Sequence, residues 1–203
     1  MLLIEFKLNI CNNLYMKHRY LKGNIICALP QLNDIFFSKS IIYLTHHNKD
    51  GAVGIVLNHK IMKIKAAQIF QKLNIANVSK NVETDFLFHI GGPINQNNGF
   101  ILHTKDYESK NTMKVSKQVK LTCSTEIISD IAQNKGPKQF FISLGYSGWG
   151  PGQLENEIKQ NSWINLNEEL DLLFEIDPEK KWKNALQKTG IDFSKLTNFF
   201  GNA

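Results

Sequence analysis

Four glycines within eight residues form the segment of this sequence that most strongly suggests chemistry. They are Gly145, Gly148, Gly150 and Gly152. The apolar run 139–144 before them predicts a buried strand, and a helical pattern follows from about Gln153. Because glycine allows positive φ and close backbone approach, this density predicts a tight connection with free amides at the start of a helix. Such amides can bind phosphate or stabilise an oxyanion.

Ser147, inside this segment, is a weak candidate for a nucleophile. The G-x-S-x-G elbow requires glycine where this chain has Trp149, and it places the histidine of the triad after the serine. Every histidine of this chain precedes Ser147. Another chain order stays open because triads are defined by geometry. We therefore assign no catalytic residue from the sequence.

The same segment also fits poorly as a phosphate-binding loop. It lacks the G-K-[ST] element of a P-loop and the G-x-G-x-x-G register of a dinucleotide site. Glu155 and Glu157, in the first helical turns, would weaken the positive potential of the helix start. A structural turn that seats Trp149 in the core is therefore favoured over an anion site.

The histidines and cysteines do not have the spacing of a metal site. No H-x-x-x-H, H-x-H or C-x-x-C pair is present, so neither a metal nor a cofactor is predicted. Cys11, Cys27 and Cys123 are widely spaced, which indicates free thiols in a cytoplasmic protein. His103 ends a predicted strand beside a loop, where it would line a cleft or be a half-buried strand-end residue.

The charge of the chain does not indicate a nucleic-acid-binding protein. The net charge is +6, but Arg19 is the single arginine among 24 basic residues. Base recognition and bidentate phosphate contacts favour arginine, so a solvated lysine surface is the preferred explanation and direct nucleic-acid binding is not predicted. No apolar run approaches the roughly 18–20 residues that span a bilayer, so no membrane association is predicted.

The pattern of apolar residues predicts a mixture of strands and helices in one domain. Residues 1–20 are weakly patterned and are interpreted as an N-terminal extension that is either disordered or upstream of a true start at Met16, whereas 21–203 form a single domain. Two β-rich runs flank Asp50-Gly51, a strong hairpin signal. The class is α+β, or mixed α/β with an antiparallel component.

Local signals also place several helix boundaries and one further turn. Apolar residues recur at helical spacing over 65–73, and Ser124 or Thr125 can cap a helix that runs to about Gln133. Asp177-Pro178 predicts another helix start. Between two predicted strands, Gly91-Gly92-Pro93 predicts a tight turn.

Several of these segments together resemble the YqgE/AlgH family over about Leu21 to Asp192. The segments that carry the resemblance are Ala28–Asp34, Gly51–Asn58, Gly91–Pro93, Gly99–His103, Leu144–Glu155, Asn161–Trp163 and Trp182–Asp192. The Gly-Trp-Gly-Pro-Gly-Gln-Leu-Glu block is the most specific of them. Two positions depart from the family pattern: Ser147 stands where the family usually has alanine, and His59 stands where it often has lysine or arginine.

The resemblance implies an α+β fold with a mixed or partly barrel-like β-sheet surrounded by helices. It also implies a soluble, cytoplasmic bacterial protein from a family with no established biochemical activity. Some relatives carry a label as regulators of transcription, although this sequence has no recognisable DNA-binding motif.

The favoured functional hypothesis is a non-enzymatic binding or regulatory module. Its ligand, a small molecule or a protein partner, would occupy a cleft near loops 91–98 and 145–152. The candidate residues of this cleft are Gly91, Gly92, Pro93, His103, Gly148, Trp149, Gly150, Gly152 and Glu155.

Two alternatives come from other classes of protein. An enzyme would use the amides of 145–152 as an anion or oxyanion site, with His103 or Glu155 as acid or base at one reacting position. Direct DNA binding would require a contiguous lysine face.

Overall fold

The computed structural model describes residues 20–76, 78–79 and 85–190, with only the backbone of 60–62. The predicted extension therefore lies outside the described residues, apart from Tyr20. The strands are β1 Ile25–Ala28, β2 Ile41–Asn48, β3 Gly51–Val56, β4 Lys60–Lys65, β5 Asp85–Ile90, β6 Ile94–Thr104, β7 Thr112–Lys114, β8 Val119–Thr122, β9 Phe140–Trp149 and β10 Trp163–Leu166. The helices are α1 Ala66–Lys72, α2 Glu126–Ala132, α3 Gln153–Lys159 and α4 Pro178–Lys188, with a π-helical turn over Asp171–Glu175.

The ten strands form one partly barrel-like sheet, and the predicted α+β class is confirmed. The strand order is β10-β1-β2-β3-β9-β6-β8-β7, with β4 and β5 as a branch attached to β9. Only the β5–β9 pair is parallel among these pairings. Strand β9 is central because it pairs with three strands. It pairs with β6 along one edge, with β5 at residues 142–144 and with β3 at residues 147–149.

Helices and loops cover both faces of this sheet. Along β2, alternate side chains enter different apolar clusters: Tyr43 packs with the cluster under α4, and Leu44 packs with the cluster under α3. A third cluster lies under α1 and α2 and includes Phe86 and Ile127. Because strand side chains alternate between faces, a strand that is apolar at every position must be covered on both sides.

The local turn and helix signals agree with the structure. Strands β2 and β3 form an antiparallel hairpin that closes at Gly51, where φ is +131°. Helix α1 lies within the predicted span 65–73, and the Ser124 hydroxyl accepts the amide of Glu126 at the start of α2. The prediction of a strand that ends at Leu144 was wrong, because β9 continues to Trp149.

A buried lysine fastens α4 to the π-helical turn. Lys181 is only 2% exposed, and its ammonium donates to the carbonyl oxygens of Leu172 and Leu173 at 2.6 and 2.8 Å. It also lies 5.2 Å from the centroid of the Phe141 ring. Burial lowers the pKa of Lys181 to about 7, and the carboxylate of Asp171 partly opposes this shift.

We expect stability to rise with pH because of Lys181. Between its folded pKa near 7 and its unfolded value near 10.5, the unfolded chain binds more protons, so the free energy of unfolding increases with pH. The rise should reach about 2 kcal/mol from pH 7 to pH 9. Above pH 9 the buried thiol of Cys27, whose pKa is raised by burial, acts in the opposite direction.

Urea unfolding at a series of pH values measures this effect. The variant Lys181→Met keeps a long apolar side chain and removes the titrating group, so its stability should be nearly flat from pH 7 to pH 9. An equal slope in the wild type and the variant would contradict the assignment to Lys181.

Candidate functional site

The glycine-rich segment is mostly strand rather than an open turn. Gly145 has a φ of +73° inside β9, and the connection to α3 is only Gly150 to Gly152. The Gly150 amide donates to the side-chain oxygen of Gln153 at 3.0 Å, so a side chain of the protein already occupies it. Helix α3 is also short, at seven residues.

Gly91 and Gly92 pack directly against the backbone of β9. The Gly91 amide donates to Leu144 O at 2.8 Å, and its carbonyl accepts from the Val56 amide at 2.9 Å and the Ser147 hydroxyl at 3.2 Å. A Cβ atom at Gly92 would lie 2.0 Å from the carbonyl carbon of Tyr146. The two glycine segments therefore form a closed seam, and the Ser147 hydroxyl is buried within it.

Trp149 lies in the core with Trp163, and a single carboxylate ties the two indoles together. Both indole N–H groups donate to Glu157 Oε2, at 2.9 Å from Trp149 and 2.8 Å from Trp163. Gln153 donates to the other oxygen of Glu157 at 2.9 Å. Because these three bonds occupy the carboxylate, Glu157 acts as a clamp in the structure.

Glu155 contacts a histidine, but not the one proposed as its partner. Leu21 N–H donates to His47 Nδ1 at 2.9 Å, which places the ring proton on Nε2, 3.1 Å from Glu155 Oε1. His103 pairs with Phe140 at the opposite end of β9 from Trp149. His103 bonds to Thr104 and Thr122, whereas Glu155 bonds to His47, so no hydrogen bond in the described structure brings His103 and Glu155 together.

His103 belongs to a chain of hydrogen-bonded hydroxyl groups. Its Nδ1 donates to the Thr104 carbonyl at 2.9 Å, and burial lowers its pKa, which favours the neutral ring. Nε2 is then an acceptor for the Thr122 hydroxyl at 2.9 Å. Thr122 contacts the Thr112 hydroxyl at 2.8 Å, which contacts Ser109 at 3.1 Å. These groups satisfy one another inside the fold.

A tyrosine beside His103 contacts a carboxylate on α2. The Tyr107 ring packs edge-on against His103, with 5.4 Å between the ring centroids, and its phenol donates to Asp130 Oδ2 at 2.6 Å. Burial and the Asp130 carboxylate together raise the pKa of Tyr107 to about 12, so the phenol remains a donor at neutral pH. Asp130 is therefore held in one orientation by a buried side chain.

A groove between α1 and α2 opens beside Asp130. It has a volume of about 380 Å³ and is lined by Leu73, Ile75, Thr125, Glu126, Ser129 and Asp130. This volume falls within the range of small-molecule sites, about 300–1,000 Å³. One wall is apolar and the other carries hydroxyl and carboxylate groups, so the groove can bind an amphipathic ligand.

The sequence does not predict this groove. The pattern of α2 predicts a helix whose Ile127, Ile128 and Ile131 are buried, and Glu126 and Asp130 lie on its other face. An exposed acidic face is normally solvated and paired with lysines. Nothing in the sequence shows that these carboxylates face Leu73 and Ile75 across a gap.

The remaining candidate cleft residues are dispersed. Gly148, Gly150, Gly152 and Pro93 are exposed, whereas Gly91, Gly92, Trp149 and His103 are buried. Over residues 20–76, 78–79 and 85–190, no group of three metal-ligating side chains is found. No helix in this part of the chain is long and apolar enough to cross a bilayer.

These features define an α+β protein with a central ten-stranded sheet and a polar groove between two short helices. The chain belongs to the AlgH-like family, whose model matches residues 25–194, so the resemblance inferred from the sequence is confirmed. A UPF0301 protein of Bradyrhizobium diazoefficiens is 37% identical over 91% of this chain and 89% of the relative. A UPF0301 protein of Shewanella loihica is 32% identical over 90% of this chain and 98% of the relative.

Two solved structures have a similar fold. The solution structure of the AlgH protein from Pseudomonas aeruginosa matches with a TM-score of 0.71 and 30% identity, over 88% of this chain and 93% of that protein. The crystal structure of a Corynebacterium diphtheriae protein matches with a TM-score of 0.64, over 83% of this chain and 86% of that protein. Its 17% identity supports a common fold alone.

Proposed function

We propose that this protein is a non-enzymatic binding module whose ligand occupies the groove between α1 and α2. The observation that carries the proposal is the arrangement of Glu126, Ser129 and Asp130 opposite the apolar Leu73 and Ile75. Binding sites combine apolar walls with a few convergent polar groups. In the candidate cleft of 91–98 and 145–152, by contrast, the two glycine segments fill the space between them with backbone.

The hydrogen bonds of the reactive groups favour binding over catalysis. Ser147 donates to a backbone carbonyl, and His103 lies in a chain of satisfied hydroxyls. His47 hydrogen-bonds to Glu155 through one ring nitrogen and accepts the Leu21 amide at the other. A catalytic nucleophile needs a base within reach and space for a substrate, and neither Ser147 nor Thr122 is exposed.

A regulatory role would follow from this binding. The described cysteines, Cys27 and Cys123, are free thiols, which is consistent with a reducing compartment such as the cytoplasm. A regulator of transcription would, in this proposal, act through its ligand or a protein partner and not through direct contact with DNA.

Nuclear magnetic resonance with a chemically diverse fragment set tests the site. We expect fragments to shift the amide signals of residues 73–75 and 125–130. The variant Ser129→Trp fills the groove and should abolish these shifts. The matched control Asn156→Trp adds the same bulk to an exposed position of α3 and should retain them.

Two results would contradict the proposal. If no fragment shifts the groove signals, the groove is not a ligand site. If the shifts concentrate at 145–152 and survive Ser129→Trp, the alternative of an anion or oxyanion site at the glycine-rich segment is favoured.

A further inference from the structure

We infer that the groove binds an alkyl chain that ends in a cationic nitrogen, either an ammonium or a guanidinium group. The inference rests on the proposed function and names the chemical class of its ligand. It depends on three features of the groove: the charge of its polar wall, the fixed orientation of one carboxylate, and the position of the apolar wall.

The polar wall carries two carboxylates that no described lysine neutralises. Glu126 and Asp130 are four residues apart, so they lie on the same face of α2. Neither forms an ion pair with the part of the protein that the structure describes, although the chain carries a net charge of +6. Like charges at this spacing destabilise a helix by a few tenths of a kcal/mol, and a cation between them removes the repulsion.

The position of Asp130 adds to this effect. It lies in the second half of α2, where the helix dipole disfavours a negative charge, and the last turn of α2 has no basic residue. The helix itself therefore gains nothing from this carboxylate. A bound cation would interact favourably with the carboxylate and with the nearby carbonyl groups of the helix end.

Asp130 is oriented before any ligand binds. The Tyr107 phenol holds Oδ2 at 2.6 Å, and Tyr107 is only 7% exposed. Oδ1 has no hydrogen-bond partner among the residues that the structure places. Because a buried donor already fixes this carboxylate through one oxygen, a ligand can bind the other oxygen at little further entropic cost. Binding to a group that is ordered beforehand is called preorganised binding.

The apolar wall fits a hydrocarbon stem. Leu73 is 38% exposed and Ile75 is half-buried, directly after the end of α1. Beyond them, the Ser79 amide donates to Ala132 O at 2.7 Å, so this residue contacts the end of α2. A chain of a few methylene groups can pack on this wall while its charged end reaches the carboxylates, as lysine and arginine side chains do on protein surfaces.

Other ligand classes fit less well. An anion would be repelled by both carboxylates, and a neutral alcohol would leave the unpaired Asp130 oxygen without a charged partner. A divalent metal prefers more oxygen ligands than two carboxylates supply.

Titration with matched five-carbon probes tests the inference. We expect n-pentylammonium to shift the groove signals at concentrations at least about tenfold lower than 1-pentanol or pentanoate, because one charge-assisted hydrogen bond accounts for about a tenfold change. Glu126→Gln and Asp130→Asn should each weaken pentylammonium binding about five- to tenfold and leave pentanol binding unchanged. Asp50→Asn, which removes a distant charge in the β2–β3 turn, should have no effect.

The outcomes separate this inference from the proposed function. If pentanol or pentanoate binds in the groove as tightly as pentylammonium, the site stands and the cationic class is overturned. If the two carboxylate variants bind pentylammonium like the wild type, the class is also overturned. Absence of any probe or fragment from the groove would contradict both.

Three further probes identify the source of the cation. Cadaverine represents free polyamines, and N-acetyl-lysine methylamide and its arginine analogue represent basic side chains of a protein partner. The ligand that binds most tightly identifies the source, and weaker binding of all three at high salt is expected for an exposed charge interaction. Salt-independent binding would argue against a role for Glu126 and Asp130.

Discussion

Gly92→Ala should strongly destabilise the protein. A Cβ atom at this position would lie 2.0 Å from the carbonyl carbon of Tyr146 and 2.3 Å from the amide nitrogen of Ser147. Both atoms belong to the backbone of β9, the central strand, so no side chain can rotate away to relieve the overlap. Accommodation would require β9 to move from its partners, and we expect a loss above about 4 kcal/mol, a large fraction of the stability of a typical domain.

Gly99→Ala provides a matched control on the neighbouring strand β6. A Cβ atom there would contact nothing within 4 Å, so the variant should remain within about 1 kcal/mol of the wild type. Far-ultraviolet circular dichroism and urea unfolding compare the two. Equal midpoints for Gly92→Ala and Gly99→Ala would show that the seam between residues 91–92 and β9 is looser than the structure indicates.

The sequence predicted the parts of this fold that depend on local chemistry. The Asp50-Gly51 hairpin needs positive φ, and the Ser124 hydroxyl accepts the Glu126 amide where α2 begins; both signals lie within a few residues. The family resemblance supplied the partly barrel-like sheet, because the Gly-Trp-Gly-Pro-Gly-Gln-Leu-Glu block is specific.

The role of the glycines could not be predicted in the same way. Local rules assign a cluster such as Gly145 to Gly152 to a turn, since glycine is the usual residue at positive φ. Most of these residues lie in β9, and Gly145 approaches the carbonyl oxygen of Gly92 so closely that a Cβ atom would be 2.7 Å from it. This close approach is between segments more than 50 residues apart in the sequence, so a local sequence pattern cannot predict it.

The groove was missed for a related reason. Glu126 and Asp130 have the spacing of an ordinary solvated helix face, and Leu73 is an ordinary residue at the end of a helix. Their significance depends on tertiary packing, which sets α1 beside α2 and leaves both carboxylates without a described lysine partner. Likewise, the sequence cannot show that His103 and Glu155 lie near opposite ends of β9.

Among the residues of α3 outside its buried face, Glu157 should be the one whose substitution by alanine destabilises the protein most. The carboxylate accepts hydrogen bonds from both Trp149 and Trp163, whose rings are 6.1 Å apart and 7% and 3% exposed. Its removal leaves two indole N–H groups in the core without their acceptor. Each hydrogen bond to a charged group contributes about 1.5–3 kcal/mol, so we expect a loss of about 3–5 kcal/mol in the free energy of unfolding.

The conservative variant Glu157→Gln separates this role from a simple change of charge. Its amide oxygen has two lone pairs and can still accept from both indoles, so the expected loss is about 1 kcal/mol. Urea unfolding gives the two free energies, and tryptophan fluorescence reports whether the indoles gain access to water. If Glu157 holds the two indoles, the alanine variant should lose much of its free energy of unfolding and the glutamine variant should lose little. If both variants lose the same small amount, the carboxylate does not hold the tryptophans, and the packing of Phe37 against both rings would have to fix their positions.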